Sequence, residues 1–341
     1  MGMPRGAGET TPADWAHCTL LGVEQNQYWV DGYVTCKGVS THIPRRVLQD
    51  VYEKFIGQLR WDVDVLLGLW FGEAKMTQRP MAWNVAAGVG GEGYGVMGAG
   101  FDIVAVELDG RCEAEFPASH PDTGASATFV QSCLWKWLEQ RNLEIDRLPD
   151  LFCGGLPCAG YSSVPRLGAP SSKERWVDYM RQELEWLVDK LLRTRQHHLA
   201  WWLENVPGAV AHMANPSSLC GAAMGLPLFR HRAFDSNFGV APVRCQHDGM
   251  CISTKSPYRQ SPEYQRRSCM CGGNTYQLFG GHVGNLMGSL EEHQQALGMW
   301  WGSDVRQLHQ CIPPVYALYM GRFALQFLVC KHLNAAAPGQ T

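Results

Sequence analysis

The chain has 341 residues, 45% of them hydrophobic and 18% charged, with a formal net charge of −3. That is enough apolar material for one large domain with a smaller appendage, and it excludes both a disordered chain and a globally basic nucleic-acid binder, so any basic surface is local. Thirteen cysteines, an odd number with no charged-then-apolar leader ahead of them, speak against a secreted disulfide scaffold and for a reducing, intracellular setting in cytoplasm, nucleoid or nucleus. No run of roughly eighteen apolar residues marks a membrane span.

Residues 1–13 carry almost nothing apolar and read as a loose tail. Tyr28–Val30 and Tyr33–Thr35 flank Asp31-Gly32, the signature of a hairpin. From Pro44 to Leu59 the residues Leu48, Val51, Tyr52, Phe55 and Leu59 recur at helical spacing, with Pro44 suited to the first turn.

Residues 80–109 form a strand, a glycine-rich turn, a short helix and a second strand that ends on an acid. Gly88, Gly90 and Gly91 let backbone approach a ligand closely at a helix N-terminus, and Glu107 at the end of the second strand can accept hydrogen bonds from ribose hydroxyls, with Leu108 beside it. The pattern predicts a nucleoside-bearing cofactor. It is not a phosphate-cradling P-loop, because no Gly-Lys-Ser/Thr follows.

Residues 111–149 read as a helix, a loop through Ser119–Asp122, and a second helix containing Leu134, Trp135 and Leu138. Leu151–Cys153 then ends a buried strand, and Gly154, Gly155, Pro157 and Gly160 force a tight loop that presents Cys158 at the carboxyl end of that strand, where open α/β sheets place their chemistry. Cys153 belongs to the strand and reads as a small buried hydrophobe. Ser171-Ser172 can cap a long helix with an apolar stripe of Trp176, Met180, Leu184, Leu187 and Leu191.

His198–Leu203 is another buried strand, and it ends in Glu204. A carboxylate there costs desolvation free energy unless partnered; a helix-cap or surface ion pair is the bland alternative to a site at the sheet edge shared with Cys158 and Glu107.

The order of glycine-rich turn, strand-end Glu107, Gly-Gly-Leu-Pro-Cys158, Glu204-Asn205-Val206, Leu228-Phe-Arg230-His-Arg232 and a Pro313-Pro314 that opens a last helix resembles the DNA (cytosine-5) methyltransferases, phage and bacterial type included. The resemblance covers roughly residues 81–330 and rests on the order of the elements more than on any one of them. It implies an α/β fold: a Rossmann-like class I methyltransferase sheet with a small irregular inserted target-recognition domain. It also implies S-adenosyl-L-methionine as cofactor, double-stranded DNA as partner and restriction-modification as a setting. In that chemistry Cys158 adds to C6 of a flipped-out cytosine, Glu204 hydrogen-bonds the ring, and Arg232 with Arg230 holds base or loop.

The pattern departs at Ala86 for the usual Phe, Asn84 for Asp, Ala159 for Gln, Leu228 for Gln and Gln310 for Asn. A tRNA cytosine-5 methyltransferase and a family member that binds without turnover are the alternatives.

The expected organisation is an extension over 1–80, a catalytic and cofactor-binding domain over 81–235, a recognition domain over 236–300, a returning helix over 301–333 and a tail over 334–341, in a monomer. Within 236–285, Arg244, Lys255, Arg259, Arg266 and Arg267 outnumber Asp248 and Glu263, and Tyr258, Tyr264 and Tyr276 are interleaved with them, a local patch suited to phosphate contact. Cys245, Cys251, Cys269 and Cys271, with His247 in reserve, are candidate ligands of a structural zinc.

Overall fold

The computed structural model describes residues 27–30, 33–36, 39–42, 45–72, 76–140, 147–155, 186, 189, 199–226, 230–243 and 289–336. Cys158 and its loop, the helix expected after Ser171, the basic segment and the four cysteines proposed for zinc lie outside these residues.

The first elements are β1 (Gln27–Val30), β2 (Tyr33–Cys36) and β3 (Val39–His42), an antiparallel sheet in the order β1-β2-β3. The hairpin around Asp31-Gly32 is as expected; the third strand is an addition. Helix α1 (Arg45–Phe71) runs twelve residues past the expected end at Leu59. The apolar stripe continues through Leu59, Val63 and Trp70, all buried, so packing carries the helix across Gly68.

The larger sheet has seven strands: β4 (Met81–Val85), β5 (Asp102–Glu107), β6 (Ala127–Gln131), β7 (Leu151–Gly155), β8 (Ala200–Asn205), β9 (Pro216–Cys220) and β10 (His231–Ser236). Its order is β6-β5-β4-β7-β8-β10-β9, parallel from β6 to β8, with β10 antiparallel to both of its neighbours. This is the class I methyltransferase arrangement. The strand order reverses between β4 and β7, where such sheets open a ligand crevice at the carboxyl ends.

Helices α2 (Gly91–Gly98) and α3 (Leu134–Glu139) follow β4 and β6, and α4 (Leu290–Leu297), α5 (Val305–Gln310) and α6 (Pro314–Ala336) close the chain. The helix expected after residue 111 is only a 3-10 turn at Gly110–Cys112, and the segment before α3 holds strand β6 instead. Within 236–300, expected to be an irregular recognition domain, α4 is regular and buries Ala296 and Leu297.

Alternation along the strands sends residues to two cores. Trp83, Val85, Phe152 and Leu203 pack on one face with Trp137 of α3. Ala82, Leu151, Cys153, Ala200 and Trp202 pack on the other, beneath α1, α2 and α6.

Helix α2 lies against the Pro-Pro segment so closely that a Cβ on Gly95 would meet the Pro314 carbonyl oxygen at 2.1 Å, and one on Gly91 the Ile312 carbonyl at 2.4 Å. Backbone cannot yield as a side chain can, so Gly95→Ala is expected to destabilise by about 2 kcal/mol in chemical denaturation. A cost near zero would show that the two elements slide past one another freely.

Candidate active site

The glycine-rich turn joins β4 to α2. Ala86 stands at φ 53, the left-handed region disfavoured for any residue with a Cβ, and Gly88 and Gly90 follow at φ 54 and 89. A Cβ built on Gly88 meets nothing within 4 Å, so the turn borders open space on that side.

Glu107, the last residue of β5, pins this turn: Gly88 N–H donates to Oε2 and Asp109 N–H to Oε1, each at 2.9 Å. The carboxylate keeps lone pairs for further donors. Leu108 beside it leaves 71% of its surface exposed, an apolar shelf next to an acid. Open space beside backbone, a fixed acceptor and a bare apolar side chain meet at Gly88, Glu107 and Leu108, a setting that suits the sugar and base of a nucleoside, whereas a Cβ on Gly90 would meet Phe116 and Pro117 and one on Gly91 the Ile312 carbonyl.

At the end of β8, Glu204 is buried, and Arg232 of β10 places Nε 2.8 Å from its Oε1, an ion pair whose angle falls short of a hydrogen bond. Burial pushes the Glu204 carboxyl above the usual glutamate range, and the guanidinium groups of Arg232 and Arg230 oppose that shift. Gly155 at the end of β7 is the register partner of Glu204, and a Cβ there would lie 3.0 Å from Glu204 Oε2, so glycine at this position leaves the carboxyl its room.

Arg230 is buried and donates from Nη2 to the His309 carbonyl at 2.8 Å, while its own carbonyl accepts from the Tyr316 hydroxyl. Burial, then the neighbouring Arg232, bring its pKa down to about 9. Arg230 therefore braces α5 and α6 against β10, and Arg232 is the arginine that reaches Glu204.

The C-terminal segment completes the surround. Trp301 Nε1 donates to the Val89 carbonyl of the turn at 2.7 Å, and Cys311 is buried against Gly91. His293 of α4 and His309 of α5 share a hydrogen bond, Nε2 to Nε2 at 2.8 Å, which fixes the two helices to each other.

One buried polar group at this edge was not read from the sequence. Asn84 of β4, Cys153 of β7 and Trp202 of β8 are partners in register, a row across the crevice, and Glu92 in the first turn of α2 lies over it. Asn84 Nδ2 and Trp202 Nε1 each donate to a separate Glu92 oxygen at 2.7 Å, and Asn84 Nδ2 also approaches Cys153 Sγ at 3.7 Å. Burial above all pushes Glu92 up to about 7, with the Glu204 charge adding to the shift and the two donors opposing it. The signal available in the sequence was a single acid inside an otherwise apolar and glycine-rich run, Val89 to Met97.

No family model matches the chain, and no curated protein matches it. Among solved structures it is similar to a protein provisionally described as a prophage-encoded DNA modification methyltransferase of E. coli, at 20% identity over 48% of this chain and 49% of that one, TM-score 0.29. It is also similar to the human methyltransferase 10 domain containing protein, at 13% identity over 53% and 80%, TM-score 0.29. A third is an S-adenosylmethionine dependent methyltransferase from Mesorhizobium loti, at 17% identity over 41% and 52%, TM-score 0.20. The alignment spans about half the length of the first of these. Similarity this low assigns no activity; the fold rests on the strand order itself. Among the described residues no helix is long and apolar enough to cross a membrane, and no cluster of three metal-ligating side chains occurs.

Proposed function

We propose that the protein is a DNA (cytosine-5) methyltransferase that uses S-adenosyl-L-methionine, with double-stranded DNA as its substrate. The observation that carries this reading is the buried Glu204–Arg232 pair at the carboxyl end of β8, on the same sheet edge as the turn that Glu107 pins. A carboxyl held in a dry site, with its pKa raised above the ordinary glutamate range, suits a group that must hold a proton while it faces a ring nitrogen.

Glu107 and the backbone of Gly88 would hold the ribose, and Leu108 the base of the cofactor, which when bound supplies an electrophilic methyl group. Cys158 stands three residues beyond Gly155 in the sequence, and this reading makes it the nucleophile.

The Cys158 thiolate attacks C6 of the cytosine, and the ring electrons move toward C5 while Glu204 gives a proton to N3. C5 takes the methyl, a base removes the C5 proton, the electron pair returned to the ring expels Cys158, and N3 gives its proton back to Glu204. Arg232 keeps Glu204 in place through the cycle. The target base must leave the duplex to meet these groups. The basic segment over 236–285 as the DNA reader and Cys245, Cys251, Cys269 and Cys271 as a zinc staple belong to the same proposal.

Transfer of labelled methyl groups to mixed-sequence duplex DNA tests it, with Cys158→Ser as the control. Label that appears only with intact Cys158, mapped to C5 of cytosine, is the expected result. Label on tRNA alone moves the substrate to RNA, and cofactor binding without label on any nucleic acid sinks the catalytic reading.

A further inference from the structure

Buried charges in proteins are matched by opposite charge or they shift toward the neutral form. Glu204 follows the first rule, with Arg232 at 2.8 Å. Glu92 follows neither fully. It is buried, and both partners the structure gives it, the Asn84 amide and the Trp202 indole, are neutral donors aimed at the two oxygens of an acceptor. With the Asn84 amide turned as it is, neither donor offers an acceptor for a carboxyl proton, so the arrangement fits a carboxylate; a carboxylic acid would need that amide turned over.

The titratable groups facing Glu92 are Cys153 on β7, whose thiol burial and Glu92 push well above its ordinary range so that it stays neutral, and Glu204 on β8, whose charge is like, not opposite. Asn84 on β4 is neutral. Among the described residues the cations nearest this edge are Arg232, which faces Glu204, and Arg230, which gives Nη2 to the His309 carbonyl; neither is among the charges that act on Glu92. A buried carboxylate thus lies under the first turn of α2, at the point where the strand order reverses, without a cation of its own.

We propose that Glu92 is the counter-ion for the sulfonium of the bound cofactor, a carboxylate placed between the glycine-rich turn and the Glu204 strand that favours the cationic methyl donor over its neutral demethylated product. The inference rests on the cofactor half of the reading above and is independent of the nucleic-acid half. Glu92 joins the strand that leads into the glycine-rich turn to the strand that ends in Glu204, through Asn84 and Trp202. Methyl transfer leaves a neutral thioether, so the attraction is lost when the reaction is over and spent cofactor is exchanged for fresh. Because the charge fades during transfer, Glu92 adds affinity for the methyl donor and does not lower the barrier of the chemical step.

Calorimetric titration of the full-length chain with S-adenosylmethionine and, separately, with S-adenosylhomocysteine tests this directly. The two ligands share every titrating group, so the ratio of their affinities isolates the sulfonium. Wild type is expected to prefer the sulfonium by about tenfold at pH 8, the effect of one close opposite charge, and to move toward parity at pH 6 as Glu92 takes a proton. Glu92→Gln should show parity at both pH values with its thioether affinity unchanged.

A preference that is the same in Glu92→Gln, or that ignores pH, overturns the proposal while leaving a cofactor-binding protein. Binding of neither ligand overturns the cofactor reading and this inference with it. Should the variant not fold, the pH series on wild type decides alone.

Discussion

Arg232→Met is expected to cost about 3–5 kcal/mol of unfolding free energy at pH 8, because it leaves a buried carboxylate without its partner. Methionine keeps most of the apolar stem, so the loss reports the charge and not a cavity. Glu204 lies 2.8 Å from Arg232, and both side chains are about nine-tenths buried.

The cost depends on pH in a definite direction. Burial already raises Glu204 above the ordinary glutamate range, and without Arg232 it rises further. A raised carboxyl lets the folded state keep a proton that the unfolded chain has released, so stability falls as pH climbs through that interval. The variant should therefore be close to wild type in acid and fall progressively behind it toward pH 8.

The double variant Arg232→Met with Glu204→Gln should recover most of the stability, since the carboxylate stranded by the first change is then gone. Equilibrium denaturation of the three proteins at pH 5 and pH 8 checks all three statements. A pH-independent cost below about 1 kcal/mol would mean that the pair is effectively solvated and contributes as a surface bridge does.

The parts of this site that were legible in the sequence are those fixed by backbone chemistry and strand ends. Gly88, Gly90 and Gly91 announce a turn, Glu107 and Glu204 each follow an apolar strand, and Pro314 opens a helix; local sequence determines each of these, and each is found in place. Packing against distant elements was not legible.

Helix α1 outruns Leu59 because Val63 and Trp70 find a core that no local pattern describes. Strand β6 pairs in parallel with β5 through residues Ala127–Gln131, whose half-exposed side chains lack the apolar run of a central strand. The Glu92 cluster needs three strands in register and a helix above them, a set of contacts with 69 and 110 residues between partners.

Glu92→Gln is expected to make the ligand-free protein more stable at pH 8 by about 2–3 kcal/mol and to leave it nearly unchanged at pH 5. The argument is linkage. Glu92 moves from 4.5 to about 7 on folding, so between those values the folded chain holds a proton that the unfolded chain has lost. Stability is therefore greatest below the lower value, declines as pH rises through the interval, and stays low above it, with a total loss of about 3 kcal/mol at about 1.4 kcal/mol per unit.

Glutamine is a neutral isostere and avoids that loss. It meets two donors where carboxylate offered two acceptors, but Asn84 Oδ1 is buried with no hydrogen-bond partner among the described residues, so a turned Asn84 amide can accept from the new NH2 group. Thermal or chemical denaturation across pH 5 to 9 reads the difference. A variant less stable than wild type at pH 8 would show that the two hydrogen bonds outweigh the buried charge and would remove the physical case for Glu92 as an anion in want of a cation. A variant more stable at pH 8 would mean that the fold tolerates an acid it would be firmer without, which is the mark of a residue kept for what binds beside it.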